Sequence, residues 1–405
     1  MCDKVTKAQV VIEIQEFNQD RKAKLVRLKY RKMAQDAFAF FRGTDHLFAS
    51  HWRQLHPPDV GPAILISGDL HLENFGAYRS DEGDAFYDIN DFDEALVAPC
   101  SLDVVRCATS ILLAAQLWKL TPVEAMRMVL GFVDHYRGAV TDALRSGTVG
   151  ELTIESARGP IRGLLRRPIQ GDRTKFIEHL TERTGDGGRR IERKSGRFRG
   201  ISRDRQDTIK KAVELNGQHP SQQGGVEVVD VTFRIAGIGS LGLRRYAVLV
   251  SMRNSPDPYR IYDLKAGSRP SLLACTEERQ PFAGDSDARR AVRAQRQLQA
   301  KPTAALQVLT IDDQEYRLRE LIPEENRTGL QEFRRRSRRL RRAVAIAGQL
   351  TGWAQVRGSR LEGDDRSGAL GRWVAGPGLE SVIASAVRFA DQTRRDYKAF
   401  SSAVP

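Results

Sequence analysis

The heptapeptide Gly68-Asp69-Leu70-His71-Leu72-Glu73-Asn74 decides the fold that the sequence predicts. It directly follows residues 63–66, a short apolar run of the kind that forms a buried strand. A second short strand is predicted at 86–89, and it leads into Asn90-Asp91-Phe92-Asp93. Two predicted strands therefore each end in a loop that carries an aspartate, and a helical pattern follows from Leu102 onward.

The order of these polar residues matches what phosphoryl transfer needs. One carboxylate accepts the proton of the attacking hydroxyl, while an amide oxygen and a second carboxylate hold Mg²⁺ on the phosphates. We therefore predict Asp69 as the general base and Asn74 and Asp91 as metal ligands. Either loop alone could be an ordinary acidic turn that caps a helix, but the ordered set favours catalysis.

A glycine-rich segment, Gly237-Ile238-Gly239-Ser240-Leu241-Gly242, forms a second candidate site. A dinucleotide-binding motif would continue into a helix, whereas here a strand-like run follows, and Lys265 ends the strand after that. A glycine loop between two strands and a lysine beyond them is the phosphate-binding arrangement of kinases. We predict that Gly237, Gly239, Ser240, Gly242 and Lys265 bind nucleotide phosphates, the alternative being a glycine-rich β-meander with a surface lysine.

The two segments together resemble the aminoglycoside-phosphotransferase-like branch of the protein-kinase fold. That resemblance implies that Asp103, at the head of the helix after the second loop, braces the catalytic loop. One departure is Ser67, which stands where this branch usually has a histidine. We expect His71 to pack or hydrogen-bond within its loop, and Arg42 is a candidate to reach the site.

A wider set of motifs spans nearly the whole chain. It comprises Phe41-Arg42-Gly43-Thr44, the heptapeptide with Phe75-Gly76, Asp91 to Ala95, and the C-terminal segment Ala390 to Tyr397. Together these motifs resemble the uncharacterised bacterial family called domain of unknown function 2252.

The order of the two sites departs from the kinase pattern. In kinases the glycine loop and lysine precede the catalytic loop, but here they follow it, and the residues before Asp69 read as helical. We therefore predict an α+β, two-lobed, circularly permuted kinase-like fold. Its predicted parts are a helical lobe with both loops (1–150), a basic, partly helical insertion (151–225), a β-rich nucleotide lobe (226–325) and a helical segment that completes the helical lobe (326–405).

The acid that should pair with Lys265 is also missing from its usual place. Kinases carry a glutamate on the helix that follows the lysine strand. The predicted helix 288–299 has no acidic residue. The sequence leaves open whether the pair is absent or whether a nearby residue substitutes; the candidates are Glu277, Glu278, Asp285, Asp287 and Gln295.

Composition limits the class of protein without choosing the function. The chain has 405 residues, a net charge of +14 and four cysteines without CxxC spacing, which argues against a disulfide framework or a cysteine zinc site. No apolar run is long enough to span a membrane, and we expect a cytoplasmic protein with no membrane partner. The arginine-rich segments 150–222 and 334–342 are interpreted as a flexible loop and a solvated helix face; nucleic-acid binding through them is possible but not favoured.

The sequence thus predicts a phosphotransferase that uses ATP and Mg²⁺ and acts on an unidentified hydroxyl of a small molecule or a protein. One alternative keeps the fold but transfers AMP. The other is an inactive module that binds nucleotide or nucleic acid.

Overall fold

Helices and short antiparallel sheets alternate along the chain, which gives a mixed α+β fold. The computed structural model describes residues 2–170, 173–185, 187–216, 226–252, 259–323 and 337–403. The helices are α1 Cys2–Phe17, α2 Ala23–Met33, α3 Ala37–Gly43, α4 Asp45–Leu55, α5 Ser101–Leu117, α6 Pro122–Ser146, α7 Gly159–Gln170, α8 Arg173–Leu180, α9 Arg203–Asn216, α10 Asp287–Leu298, α11 Ser337–Gly358, α12 Ser367–Ala375 and α13 Gly378–Ser401.

The strands fall into two groups. Four of them belong to the half of the chain that carries the aspartate loops: β1 Ala63–Ile66, β2 Phe75–Arg79, β3 Ala85–Ile89 and β4 Leu96–Pro99. The later strands are β5 Thr181–Arg183, β6 Arg189–Ile191, β7 Phe198–Arg199, β8 Val226–Arg234, β9 Arg245–Met252, β10 Tyr259–Ala266, β11 Gln307–Ile311, β12 Gln314–Glu320, β13 Arg360–Leu361 and β14 Asp364–Asp365. Short 3₁₀ turns occur at Leu72–Asn74 and Ser271–Cys275.

The helical body is built around α5, whose residues from Ser101 to Ala115 are all buried. The N-terminal part of the chain supplies α4 and α6, and the C-terminal part supplies α11 and α13, all of which contribute to one apolar core. The start of α6 follows from its sequence: Thr121 accepts a hydrogen bond from the Glu124 amide, and the Glu124 carboxylate accepts one from the Thr121 amide. None of the described helices is both long and apolar enough to cross a membrane.

The β-rich body is an antiparallel sheet of six strands in the order β11-β12-β10-β9-β8-β7. Side chains alternate between its faces along each strand. On β10, Tyr262 and Leu264 belong to the apolar core beneath α9, while Asp263 and Lys265 face the other way. One face of the sheet is therefore apolar. The other face is charged around Asp263 and Lys265, near the aspartate loops, and apolar around Leu249 and Ile261, which pack against α8.

The segment predicted as a separate basic insertion, 151–225, contributes to both bodies. Helix α7 packs its apolar side chains into the core of the helical body. Strand β7 pairs with β8 at the edge of the six-stranded sheet, and α9 covers the apolar face of that sheet. The sequence Asn254-Ser255-Pro256-Asp257-Pro258 predicts a hairpin connection, and this segment lies outside the described residues.

Candidate active site

The turn after β1 is held by the first turn of α5. Asp103 accepts hydrogen bonds from the amide of Ser67 at 2.9 Å, from the Ser67 hydroxyl at 3.0 Å and from the amide of Gly68 at 2.9 Å. Burial raises the pKa of Asp103 to about 6, although these hydrogen bonds favour its ionised form. Asp103 therefore lies where the sequence predicted a brace, and Ser67 contributes its hydroxyl to that brace.

Gly68 brings the two aspartate loops together. Its φ of +89° lies in the left-handed region, and a Cβ at this position would overlap the carbonyl oxygen of Glu94 in the second loop. A side chain would have to push the loops apart, so glycine is required both by conformation and by space.

Asp69 lies in the cleft beside a buried arginine on α5. Arg106 donates from Nε to Oδ1 of Asp69 at 2.7 Å, and the same guanidinium lies 3.1 Å from Asp45. Burial raises the pKa of Asp69 to about 7; Arg106 opposes this shift, whereas the charges of Asp45 and Asp91 add to it. The Asn74 amide donates to the backbone oxygen of Asp69 at 2.5 Å, so both residues of the heptapeptide are fixed within one loop.

Asp91 carries a carboxylate oxygen that is buried and has no hydrogen-bond partner among the described residues. Burial alone would raise its pKa, but Lys265, Arg317 and Arg319 outweigh that effect and lower it. Asp91 is therefore an ionised carboxylate with an unshared oxygen at the wall of the cleft. An oxygen of this kind suits a divalent cation, and Asn74 lies on the same cleft.

No group of three or more His, Cys, Asp and Glu side chains within the described ranges is arranged to hold a metal by itself. Mg²⁺ usually keeps several waters and binds one or two protein oxygens together with substrate phosphates. Asp91 and Asn74 therefore fit a magnesium ion that arrives with a phosphate ligand.

Lys265 pairs with an acid that the sequence analysis did not consider. Its ammonium group contacts the carboxylate of Asp93, which also lies 3.1 Å from Arg317. The acid comes from the loop of Asp91 itself, two residues further on, and not from the region of α10. Because the pair joins residues far apart in the chain, only the position of Asp93 beside Asp91 could have suggested it.

The five substitutes considered for this acid lie elsewhere. Each has another neighbour: Glu278 pairs with Arg366, Asp285 with Arg293, Asp287 with Arg290, Gln295 bonds to Gln299, and Glu277 lines a different cavity. These candidates were therefore wrong, because Lys265 points toward the second aspartate loop and contacts Asp93 instead.

The glycine segment 237–242 connects β8 to β9 and lies over the cleft. Gly237 and Gly242 have φ values of +73° and +100°, and the Ser240 hydroxyl donates to the Ala236 carbonyl at 3.3 Å. Arg21 donates from Nη1 to the carbonyl of Gly239 at 2.6 Å and to that of Leu241 at 2.9 Å.

The turn between α1 and α2 is thus part of the site. Phe17, Asp20 and Arg21 line the cleft, and no motif in the sequence indicated them.

Arg42 and His71 both line the cleft, and Arg42 was the one that the sequence suggested would reach it. Arg42 forms an ion pair with Glu73, and its Nε lies 3.4 Å from Nε2 of His71. The Nδ1 atom of His71 accepts from the Glu73 amide at 3.2 Å. His71 therefore hydrogen-bonds within its own loop and belongs to the wall of the cleft.

The complete cleft has a volume of about 560 Å³ and walls of opposite charge. The charged side chains on the wall from the β-rich body are all cations: Arg244, Arg245, Lys265 and Arg269. The wall from the helical body contributes all of the carboxylates that line the cleft, which are Asp20, Asp45, Asp69, Glu73, Asp91, Asp93 and Glu94, together with the cations Arg21 and Arg42. Phosphates that carry a divalent cation would satisfy both walls at once.

The end of α11 lies against β1. A Cβ on Gly358 would overlap the carbonyl oxygen of Leu65, and Arg366 donates to the carbonyl of Ala63 at 2.8 Å. A permuted chain predicts that residues near 355–362 lie close to residues 60–68, where an unpermuted chain would be continuous, and the structure brings these two segments together.

The arginine-rich run 334–342 is described only from Ser337 onward. On α11, Arg338, Arg339, Arg341 and Arg342 are exposed and Leu340 is buried. This pattern is that of a solvated helix face. Arg334, Arg335 and Arg336 lie outside the described residues.

A family model described as an uncharacterized protein conserved in bacteria, domain of unknown function 2252, matches residues 21–403. The chain belongs to this family. The match begins at Arg21, so it covers both aspartate loops, the glycine segment and Lys265. No curated protein and no solved structure matches the chain.

Proposed function

We propose that this member of the domain of unknown function 2252 family is an ATP- and Mg²⁺-dependent phosphotransferase with a circularly permuted kinase-like fold. The observation that carries the proposal is that Asp69, Asn74 and Asp91 line the same cleft as Lys265 and the glycine segment. These residues come from opposite parts of the sequence, and phosphoryl transfer requires them together.

The permutation is supported by the way the helical body is assembled. In a kinase the lobe with the glycine loop precedes the catalytic loop in the chain. Here α11 follows that lobe in sequence and ends against β1, the strand that leads into Asp69. A chain that joined this end of α11 to β1 would have the usual kinase order.

In the proposed reaction, Asp69 accepts the proton of the acceptor hydroxyl, and Arg106 fixes the orientation of its carboxylate. Asp91 and Asn74 would hold Mg²⁺ against the nucleotide phosphates, where the ion neutralises negative charge on the transferred group. Lys265 and the amides of the glycine segment bind the phosphates from the other wall. Glu94 lies in the same loop as Asp91 and accepts from the Ser271 amide at 2.5 Å, which ties that loop to the segment after β10.

The first test measures ATP binding with and without Mg²⁺ in the wild type and in Asp91→Asn. The variant keeps the size of the side chain but lacks the charge that holds the cation, so we expect Mg²⁺-dependent binding to weaken at least tenfold while the fold remains intact. Asp313→Asn, at an exposed turn between β11 and β12, is the matched control and should bind as the wild type does. Unchanged Mg²⁺-dependent affinity in Asp91→Asn would contradict the metal assignment.

The second test identifies the transferred group. ATP labelled on the γ phosphate should label the acceptor, and ATP labelled on the α phosphate should not. Label from the α phosphate would show AMP transfer instead. Mg²⁺-dependent binding without either product would favour the inactive nucleotide-binding module.

A further inference from the structure

Helix α10 follows the lysine strand, but it sends an arginine toward the site in place of an acid. Arg290 is 8% exposed and donates to three backbone carbonyls. The distances are 2.5 Å to Ala95, 2.7 Å to Asp93 and 2.8 Å to Ser268. Two of these carbonyls belong to the loop of Asp91, and the third lies three residues after Lys265.

A guanidinium group is suited to this position because its donors form a rigid planar fork. One side chain can therefore fix two separate segments of backbone relative to each other. Without it, three carbonyls inside a buried contact would lose their donor, and buried polar groups without partners are strongly unfavourable. A lysine at the same place would keep the charge but not the fork.

Different residues bind the side chain and the backbone of Asp93. Lys265 and Arg317 bind its carboxylate, while Arg290 binds its carbonyl. Arg319 donates to the carbonyl of Asn90 at 2.8 Å, at the other end of the same loop. The β-rich body therefore holds the loop 90–95 by hydrogen bonds at both ends, and Asp91 lies between these two points of attachment.

We propose that Arg290 is a positioning residue that sets the place of Asp91 in the cleft by fixing the backbone of the loop 90–95. Helix α10 would thus hold the metal-binding loop directly, through hydrogen bonds from Arg290 to the backbone carbonyls of the loop. Lys265 forms its ion pair with the Asp93 side chain of the same loop. This inference rests on the proposed function for its consequence in metal binding, but the contact itself can be tested without a nucleotide.

Three variants test the proposal: Arg290→Met removes the donors, Arg290→Lys keeps the charge alone, and Arg293→Gln is the control. Arg293 lies on the same helix, but it is about half exposed and pairs with Asp285. The first readout is the Mg²⁺ concentration that gives half-maximal ATP binding. We expect it to rise at least tenfold in Arg290→Met and by a smaller factor in Arg290→Lys. Metal-free ATP affinity should stay within twofold of wild type, and Arg293→Gln should change neither value.

The second readout is hydrogen exchange of the backbone amides at residues 91–95, measured without ligand. Exchange there should become at least tenfold faster in Arg290→Met, while the amides of α5 should exchange as in the wild type. Wild-type exchange at 91–95 in both Arg290 variants would overturn the inference. If Arg290→Met does not fold, Arg290→Lys decides by the same two readouts.

The two hypotheses fail in different ways. A wild-type protein without Mg²⁺-dependent ATP binding refutes the proposed function, and the exchange measurement still decides the role of Arg290. Normal ATP binding together with an unchanged Mg²⁺ requirement in both variants refutes the inference and leaves the proposed function standing.

Discussion

Replacing Gly68 by alanine should separate the two aspartate loops, and the chain contains a matched control for this change. Gly68 and Gly83 have nearly the same φ, +89° and +92°. A Cβ at Gly68 would overlap the Glu94 carbonyl oxygen and lie 2.8 Å from the Glu94 Cβ, whereas a Cβ at Gly83 meets nothing within 4 Å. The two substitutions therefore share the conformational strain and differ in the steric contact.

The expected magnitudes follow from that comparison. An L-residue in the left-handed region costs about 1–2 kcal/mol, which is the whole effect expected for Gly83→Ala. Forcing a methyl group into a packed contact costs about 1–3 kcal/mol more, so Gly68→Ala should lower the free energy of unfolding by roughly 2–5 kcal/mol in total. Because Glu94 is in the loop of Asp91, Mg²⁺-dependent ATP binding should weaken in Gly68→Ala and not in Gly83→Ala.

Urea unfolding gives the stability difference, and an ATP titration at fixed Mg²⁺ gives the effect on the site. Equal losses of stability in the two variants, with equal ATP affinity, would refute the argument that Gly68 is needed for the contact between the loops. A larger loss of stability in Gly83→Ala than in Gly68→Ala would contradict the argument as well, because only Gly68 has the steric contact.

Two further predictions concern the N-terminal helices. Burial lowers the pKa of His46 to about 3, and the positive charges of Lys29, Arg21 and Arg106 add to this shift. The folded protein therefore binds fewer protons than the unfolded chain, and it loses stability as the pH falls below about 6.5. His46→Phe should therefore remove about 2 kcal/mol of the stability loss between pH 7 and pH 5, measured by urea unfolding at both pH values; an identical pH dependence in wild type and variant would contradict this. Arg21→Met should weaken ATP binding severalfold without changing the Mg²⁺ requirement, because it frees the carbonyls of Gly239 and Leu241; unchanged ATP affinity in a titration would show that the glycine segment does not depend on Arg21.

Local sequence motifs were sufficient to identify the site residues that lie at the ends of strands. Asp69 and Asn74 follow β1 within eight residues, and the run into Asp91 follows β3, so the pattern of strand and turn was enough to find them. A capping box such as that of Thr121 and Glu124 is recognisable in a sequence for the same reason, since it is formed within one helical turn.

Contacts between distant segments could not be found in this way. Two such contacts are the ion pair of Lys265 with Asp93 and the hydrogen bonds of Arg290. They depend on how the sheet packs against the second aspartate loop, and the spacing of residues within a short segment gives no information about that packing. The same is true of Arg21, whose hydrogen-bond acceptors come more than two hundred residues later. The sequence indicated that an acid was missing from α10 but could not locate its replacement.

The helical body is formed by segments from both ends of the described chain, and this affects how the protein folds during synthesis on the ribosome. Helices α5 and α6 emerge early, yet their apolar faces are covered by α11 and α13, which are made after the whole β-rich body. The six-stranded sheet, from β7 to β12, is contiguous apart from its connecting segments and can close as soon as β12 has left the exit tunnel. We therefore expect the nascent chain to display an uncovered α5–α6 surface throughout translation of about two hundred residues, which at 5–20 residues per second lasts roughly 10–40 seconds. We expect such an apolar surface to need protection by a chaperone during synthesis.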